Sequence, residues 1–102
     1  YDEMKAAIKD RSVMIIGGNE NWTKKLKNEF PNWKFVKAVV SSTVTSSIIM
    51  NCEKVYFFTG TLGHSNYAKF VDLARYHGVD FSYMHGVNVQ KNVRQVYHDL
   101  IG

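Results

Sequence analysis

Apolar and polar positions alternate along the chain with two periods, and the switches between them divide it into elements. Tyr1, Met4 and Ile8 recur at spacings of three and four among Asp2, Glu3, Lys5, Lys9 and Asp10. That is a helical stripe over 1–10, and it fits either the last heptad of a coiled coil or a short helix packed on its own domain. Ser12 is followed by Val13-Met14-Ile15-Ile16, an apolar run stopped by Gly17-Gly18, as expected of a buried parallel strand. Trp22, Leu26 and Phe30 then recur every four residues, which predicts a helix over 22–29 with Asn21 as its N-cap. Pro31 and Asn32 end it.

Residues 33–40 are rich in β formers and predict a second strand. Ser41-Ser42-Thr43 interrupts, and a short helix is expected over 44–51. A third strand is expected over 54–59. Gly60-Thr61-Leu62-Gly63 follows as loop, with Ser65 or Asn66 capping a helix through Tyr67, Phe70, Val71 and Ala74 that stops near His77 and Gly78. A fourth strand over 79–84, a loop at His85-Gly86-Val87-Asn88 and a stripe of Val89, Val93, Val96, Tyr97, Leu100 and Ile101 complete the pattern.

Strand and helix alternate with short connections, which predicts parallel strands joined by right-handed crossovers. The expected architecture is an α/β, three-layer Rossmann-like or flavodoxin-like sandwich. Its four-stranded parallel sheet has the order 2-1-3-4, with an N-terminal helix. Residues 11–102 form one domain and 1–10 the end of a preceding helix or coiled coil. The chain opens at Tyr1, not at Met, without a signal-like segment, so the expectation is a chain cut from something longer or processed at its start.

Composition narrows the classes. An apolar fraction of 45% and a charged fraction of 22% in 102 residues describe one folded domain. One Cys excludes an internal disulfide framework and fits a cytoplasmic setting. The longest apolar runs, of four residues, are far below the ~20 needed to span a bilayer, so no membrane partner is expected. The net charge of +4 permits an anionic partner without requiring one.

In an open parallel sheet, ligands bind beyond the carboxyl ends of the strands, where the strand order reverses. The loops at that edge contain Gly17, Gly18 and Asn19, then Ser41 to Thr45, then Thr59, Thr61, His64 and Ser65, then His85. The opposite edge, at Asn32, Glu53-Lys54 and Gly78, carries ordinary turn residues. Glycines permit close backbone approach, helix N-termini offer unpaired N–H groups, and hydroxyls and imidazoles add donors. Gly17, Gly18, Asn19, Thr59, Thr61, His64, Ser65 and His85 are therefore the candidate ligand-binding residues. The ligand they suit is small and anionic, of phosphate or nucleotide type. The same residues also serve as caps and turns, which every βα unit needs.

Other chemistries find less support. Gly17-Gly18 lacks the Gly-x-Gly-x-x-Gly spacing and the later acidic residue of a dinucleotide site, and no phosphate-binding Gly-x-x-x-x-Gly-Lys motif occurs. No cofactor is expected. Glu20 is the one obvious acid on these loops, and no metal site is expected. No serine lies in a Gly-x-Ser-x-Gly elbow. Catalysis would require His64 and His85 to reach one substrate, and the balance leans away from an enzyme. His77 and His98 read as surface residues near helix ends, and Cys52 as a buried or half-buried thiol. Lys24, Lys25, Lys27, Lys34 and Lys37 form a basic face that could touch nucleic acid, although lysines on a helix are usually its solvated side. Trp22 and Trp33 fit the core. A structural or dimerisation module without a ligand, or a homo-oligomer formed through the N-terminal helix, are the remaining alternatives.

Ile15-Ile16-Gly17-Gly18-Asn19, the segment Phe58-Thr59-Gly60-Thr61-Leu62-Gly63-His64, and His85 after the fourth strand carry a resemblance. In these motifs the chain resembles the bacterial family known as domain of unknown function 2325. The likeness runs from about Val13 to Leu100. Gly63 stands where that family usually has Ser, which removes one hydroxyl from the implied pocket. The resemblance implies a Rossmann-like C-terminal domain of a longer protein, following a long helical or coiled-coil region of which residues 1–10 would be the end, and it brings no reaction, cofactor or substrate.

Overall fold

The computed structural model describes residues 2–36, 49–58 and 68–102. Their elements are α1 (Asp2–Ile8), β1 (Val13–Ile16), α2 (Glu20–Glu29), β2 (Lys34–Val36), β3 (Lys54–Phe58), α3 (Ala68–Tyr76), β4 (Asp80–Met84) and α4 (Val89–Leu100). The strands form one sheet in the order β2-β1-β3-β4, all parallel, with Ile15 beside Phe35 and Tyr56, and Phe57 beside Tyr83. The expected α/β fold and strand order are those observed.

Pleating explains the layers. Successive residues of a strand face opposite sides. On one side Val13, Ile15, Tyr56 and Phe58 meet Ile8 of α1, Trp22 and Leu26 of α2, and Val93 and Val96 of α4. On the other, Met14, Ile16, Val55 and Phe57 meet Phe70, Val71 and Ala74 of α3, together with Ile49 and Cys52. The central strands β1 and β3 are therefore buried on both faces, while the edge strands β2 and β4 keep partial exposure. Right-handed crossovers require this arrangement. The connection from β1 to β2 and that from β3 to β4 run in opposite directions across the sheet, which puts α2 and α3 on opposite faces.

The boundaries show what sequence spacing leaves open. α2 begins at Glu20, and its N-cap is Asn19, not Asn21: the Asn19 carboxamide oxygen accepts from the Trp22 N–H at 2.7 Å. Glu20 then occupies the first turn, where a carboxylate is favoured by the helix dipole. The described part of the second strand is Lys34–Val36, and its expected continuation over 37–40 lies outside the described residues. Of the helix expected over 44–51, Ile49 and Met50 are described and helical. α3 stops before Gly78, whose φ of 67° is a left-handed conformation that glycine adopts without strain.

α1 uses its stripe on its own domain. Met4 and Ile8 pack into the first core layer, with Ile8 fully buried. The Trp33 indole N–H donates to the Ile8 carbonyl at 3.2 Å, and the Arg11 N–H to the same carbonyl at 3.1 Å, so a helix-end oxygen is satisfied. Trp33 is itself stacked on Phe30, centroids 4.0 Å apart. Lys5 pairs with Glu29 of α2 at 3.1 Å.

Two further polar contacts tie distant segments. Arg11 Nε lies 2.8 Å from Glu53 Oε2, which also accepts from the Ser12 N–H at 3.1 Å, and the guanidinium holds the Glu53 carboxyl below its usual value. At the centre of the sheet, the fully buried Tyr56 donates its hydroxyl to Asp99 Oδ2 at 2.7 Å. Burial pushes the Tyr56 phenol far above its ordinary range, and the Asp99 carboxylate pushes it the same way. Among the described residues, no helix is long and apolar enough to cross a membrane.

Candidate functional site

The carboxyl edge of the sheet is built from the ends of β1, β3 and β4 and the helix starts that follow them. After β1 the chain turns through Gly17 and Gly18, at φ of 94° and 95°. The Gly17 N–H donates to the Val36 carbonyl at 2.9 Å, so this amide extends the β1–β2 ladder. It is not the open ligand donor that the sequence suggested. Gly18 lies against the Trp22 ring: a Cβ at this position would sit 2.4 Å from Trp22 Cζ3. The missing side chain therefore makes room for an indole, one turn ahead.

Asn19 and Asn88 perform the same local task on two helices. Asn19 caps α2, and Asn88 caps α4 by accepting from the Lys91 N–H at 3.1 Å. Each leaves a first helical turn at this edge, whose N–H groups the helix's own ladder cannot satisfy and whose dipole favours an anion. Beside the α2 start is an open depression of about 490 Å³, lined by Asn19, Glu20, Asn21, Trp22, Lys25 and Val87. Lys25 supplies positive charge there. Glu20 supplies negative charge on the same rim, which selects against a ligand that would lay its anion over the first turn of α2 alone.

The sequence-predicted residues separate under this geometry. Asn19 lines the depression, as does Lys25 from the basic face. Gly17 and Gly18 shape the turn behind it. His85 is exposed on the neighbouring loop. Thr59, Thr61, His64 and Ser65 lie outside the described residues, as does Lys37. Lys24, Lys25 and Lys27 are exposed on α2 and Lys34 is exposed on β2, so these four side chains are solvated. His98 is at the surface. His77 is a correction: it is half-buried, and its Nε2 is shielded from solvent with no hydrogen-bond partner among the described residues. Cys52 is buried at the opposite edge, and burial pushes its thiol up, away from the reactive thiolate. No group of three His, Cys, Asp or Glu side chains able to hold a metal occurs among the described residues.

Two residues at this edge were missed by the sequence reading. Val87 forms the far wall of the depression, and Asn92 is buried behind it with its Oδ1 accepting from Trp22 Nε1 at 2.7 Å. Asn92 did leave a signal. It stands among Val89, Val93 and Val96, on the apolar stripe of α4, where a polar side chain needs a partner. Comparison of the chain with protein-family models, curated proteins and solved structures yields no match.

Proposed function

We propose that this domain is a small-ligand-binding or regulatory module whose ligand is anionic, of phosphate or nucleotide type, and is held at the carboxyl edge of the sheet. The observation that carries this reading is the capped start of α2 at Asn19 on one open depression that bears Lys25 and that Val87, the residue before the Asn88 cap of α4, lines from the loop after β4. Helix N-termini and a lysine are complementary to phosphate oxygens. Thr59, Thr61, His64, Ser65 and His85 would complete the shell from the adjoining loops. The resemblance to the domain of unknown function 2325 family, which rests on these same loop motifs, supports the assignment of the edge. The single cysteine and its burial fit a reducing, cytoplasmic setting.

The test is a thermal-shift screen with inorganic phosphate, nucleotides and phosphorylated sugars. A ligand at ~100 times its Kd stabilises by ~2.7 kcal/mol, which raises Tm by on the order of 10 °C in a domain of this size. Lys25→Ala and His64→Ala should each reduce the shift. A flat screen refutes the reading. The exposure of Lys24, Lys25, Lys27 and Lys34 supports a second one, nucleic-acid binding. It is separated by adding an oligonucleotide arm: binding that weakens steeply with salt and disappears on replacing Lys24, Lys25 and Lys27 would favour it.

A further inference from the structure

Asn92 is only 2% exposed, yet it carries a carboxamide into an apolar layer. Both ends of that carboxamide are occupied. Oδ1 accepts from the Trp22 indole at 2.7 Å, and Nδ2 donates to the Gly86 carbonyl at the longer distance of 3.5 Å. One partner, Trp22 in the first turn of α2, lines the depression, and the other, Gly86, precedes Val87, which lines it from the loop after β4.

The indole is fixed on its other sides as well. Gly18 leaves it space from the end of β1, and Phe58 packs against it from the end of β3, centroids 4.6 Å apart. One ring thus touches the ends of two central strands, and one carboxamide connects it to the loop after a third.

We infer that Asn92 and Trp22 are positioning residues that cross-link the two walls of the depression, so that the α2 start and the β4–α4 loop keep one spacing and open together. The use of this device rests on the ligand-site reading above; its existence does not, and the two are separable by experiment.

The experiment compares amide hydrogen exchange in the full chain and in Asn92→Leu, which removes both hydrogen bonds and puts an apolar side chain of similar size in place of the carboxamide. The informative amides are those bonded to the two caps: Trp22 and Thr23 on Asn19, Lys91 and Asn92 or its replacement on Asn88. Exchange at both groups should accelerate at least tenfold more than at Met14 and Ile15 of β1 or at Ile101 beyond the far end of α4. Trp22→Phe keeps a ring between Gly18 and Phe58 but lacks the N–H, and it should give the same local pattern if Asn92→Leu fails to fold. Unchanged exchange at the caps overturns the inference, and so does a uniform rise through β1, which marks ordinary loss of core stability. Titration of both proteins with ATP and inorganic phosphate runs alongside. If the wild type binds, the variant's Kd should rise at least tenfold. If the wild type binds neither, the ligand-site reading fails, and the exchange pattern alone decides the cross-link.

Discussion

Gly18 and Trp22 compete for one space, and the ring has it. At Gly18 a methyl group would stand 2.4 and 2.5 Å from two ring carbons, on a backbone with φ of 95°. Trp22 cannot withdraw, because it is buried and bonded through Nε1. Gly18→Ala therefore combines overpacking with backbone strain, each on the order of 1–3 kcal/mol. We expect a loss of ~2–4 kcal/mol in urea unfolding, whereas a Gly18 needed only for ligand approach would accept Ala at far less cost. At this scale the sequence was half legible. Two glycines after an apolar strand do signal close approach, but spacing alone does not say what approaches. The partner is the indole four residues later, brought back by the turn into α2. Asn92 was legible in the opposite sense, as a polar intruder on a helical stripe whose partners only the tertiary fold supplies.

The elements themselves are legible where the apolar pattern is strong. β1 and β3 are continuous apolar runs because both their faces are covered, and α2 and α4 carry apolar stripes, that of α4 interrupted by Asn92. The boundaries were less legible, since Asn19 and Asn21 are equally good caps by type and only the hydrogen bond to Trp22 distinguishes them. α1 shows the limit of a single heptad. Its stripe is compatible with a seam on another chain and with a docked helix, and Met4 and Ile8 are found in this domain's own core. What decides the docking is non-local: the indole of Trp33 reaches the Ile8 carbonyl, and Lys5 reaches Glu29. Ile8→Ala should then cost about 2–5 kcal/mol, as for other fully buried aliphatic side chains, with no change in the slope of the urea transition. A loss below about 0.5 kcal/mol would show α1 to be peripheral.

On the scale of the whole molecule, the parallel order 2-1-3-4 follows from the alternation of elements, short connections and crossover handedness, and with it the position of the carboxyl edge. The chemistry of that edge was less accessible. A glycine, an asparagine and a histidine in a loop have the same letters whether they bind a ligand, cap a helix or extend a ladder. Gly17 proved to extend a ladder, Asn19 to cap, and His85 to stand exposed.

The Tyr56–Asp99 contact has a consequence for how the protein meets strong base. There are six tyrosines in the chain, and one of them is sealed beneath the sheet with its proton directed at a carboxylate. As pH rises past the ordinary phenol value of 10.0, an unfolded chain releases that proton and the folded one retains it. The folded state then binds more protons than the unfolded, so stability present below pH ~10 is lost above it, at up to ~1.4 kcal/mol per pH unit from this group. In an ultraviolet titration, phenolate absorbance from Tyr56 should be missing until the protein unfolds, and should then arrive together with the loss of helical circular dichroism. Tyr56→Phe should cost on the order of 1 kcal/mol at neutral pH and flatten the alkaline limb. Gradual ionisation of every tyrosine in the folded protein would refute it. The ring that joins the sheet to the end of α4 thus also sets how alkaline a solution the fold withstands.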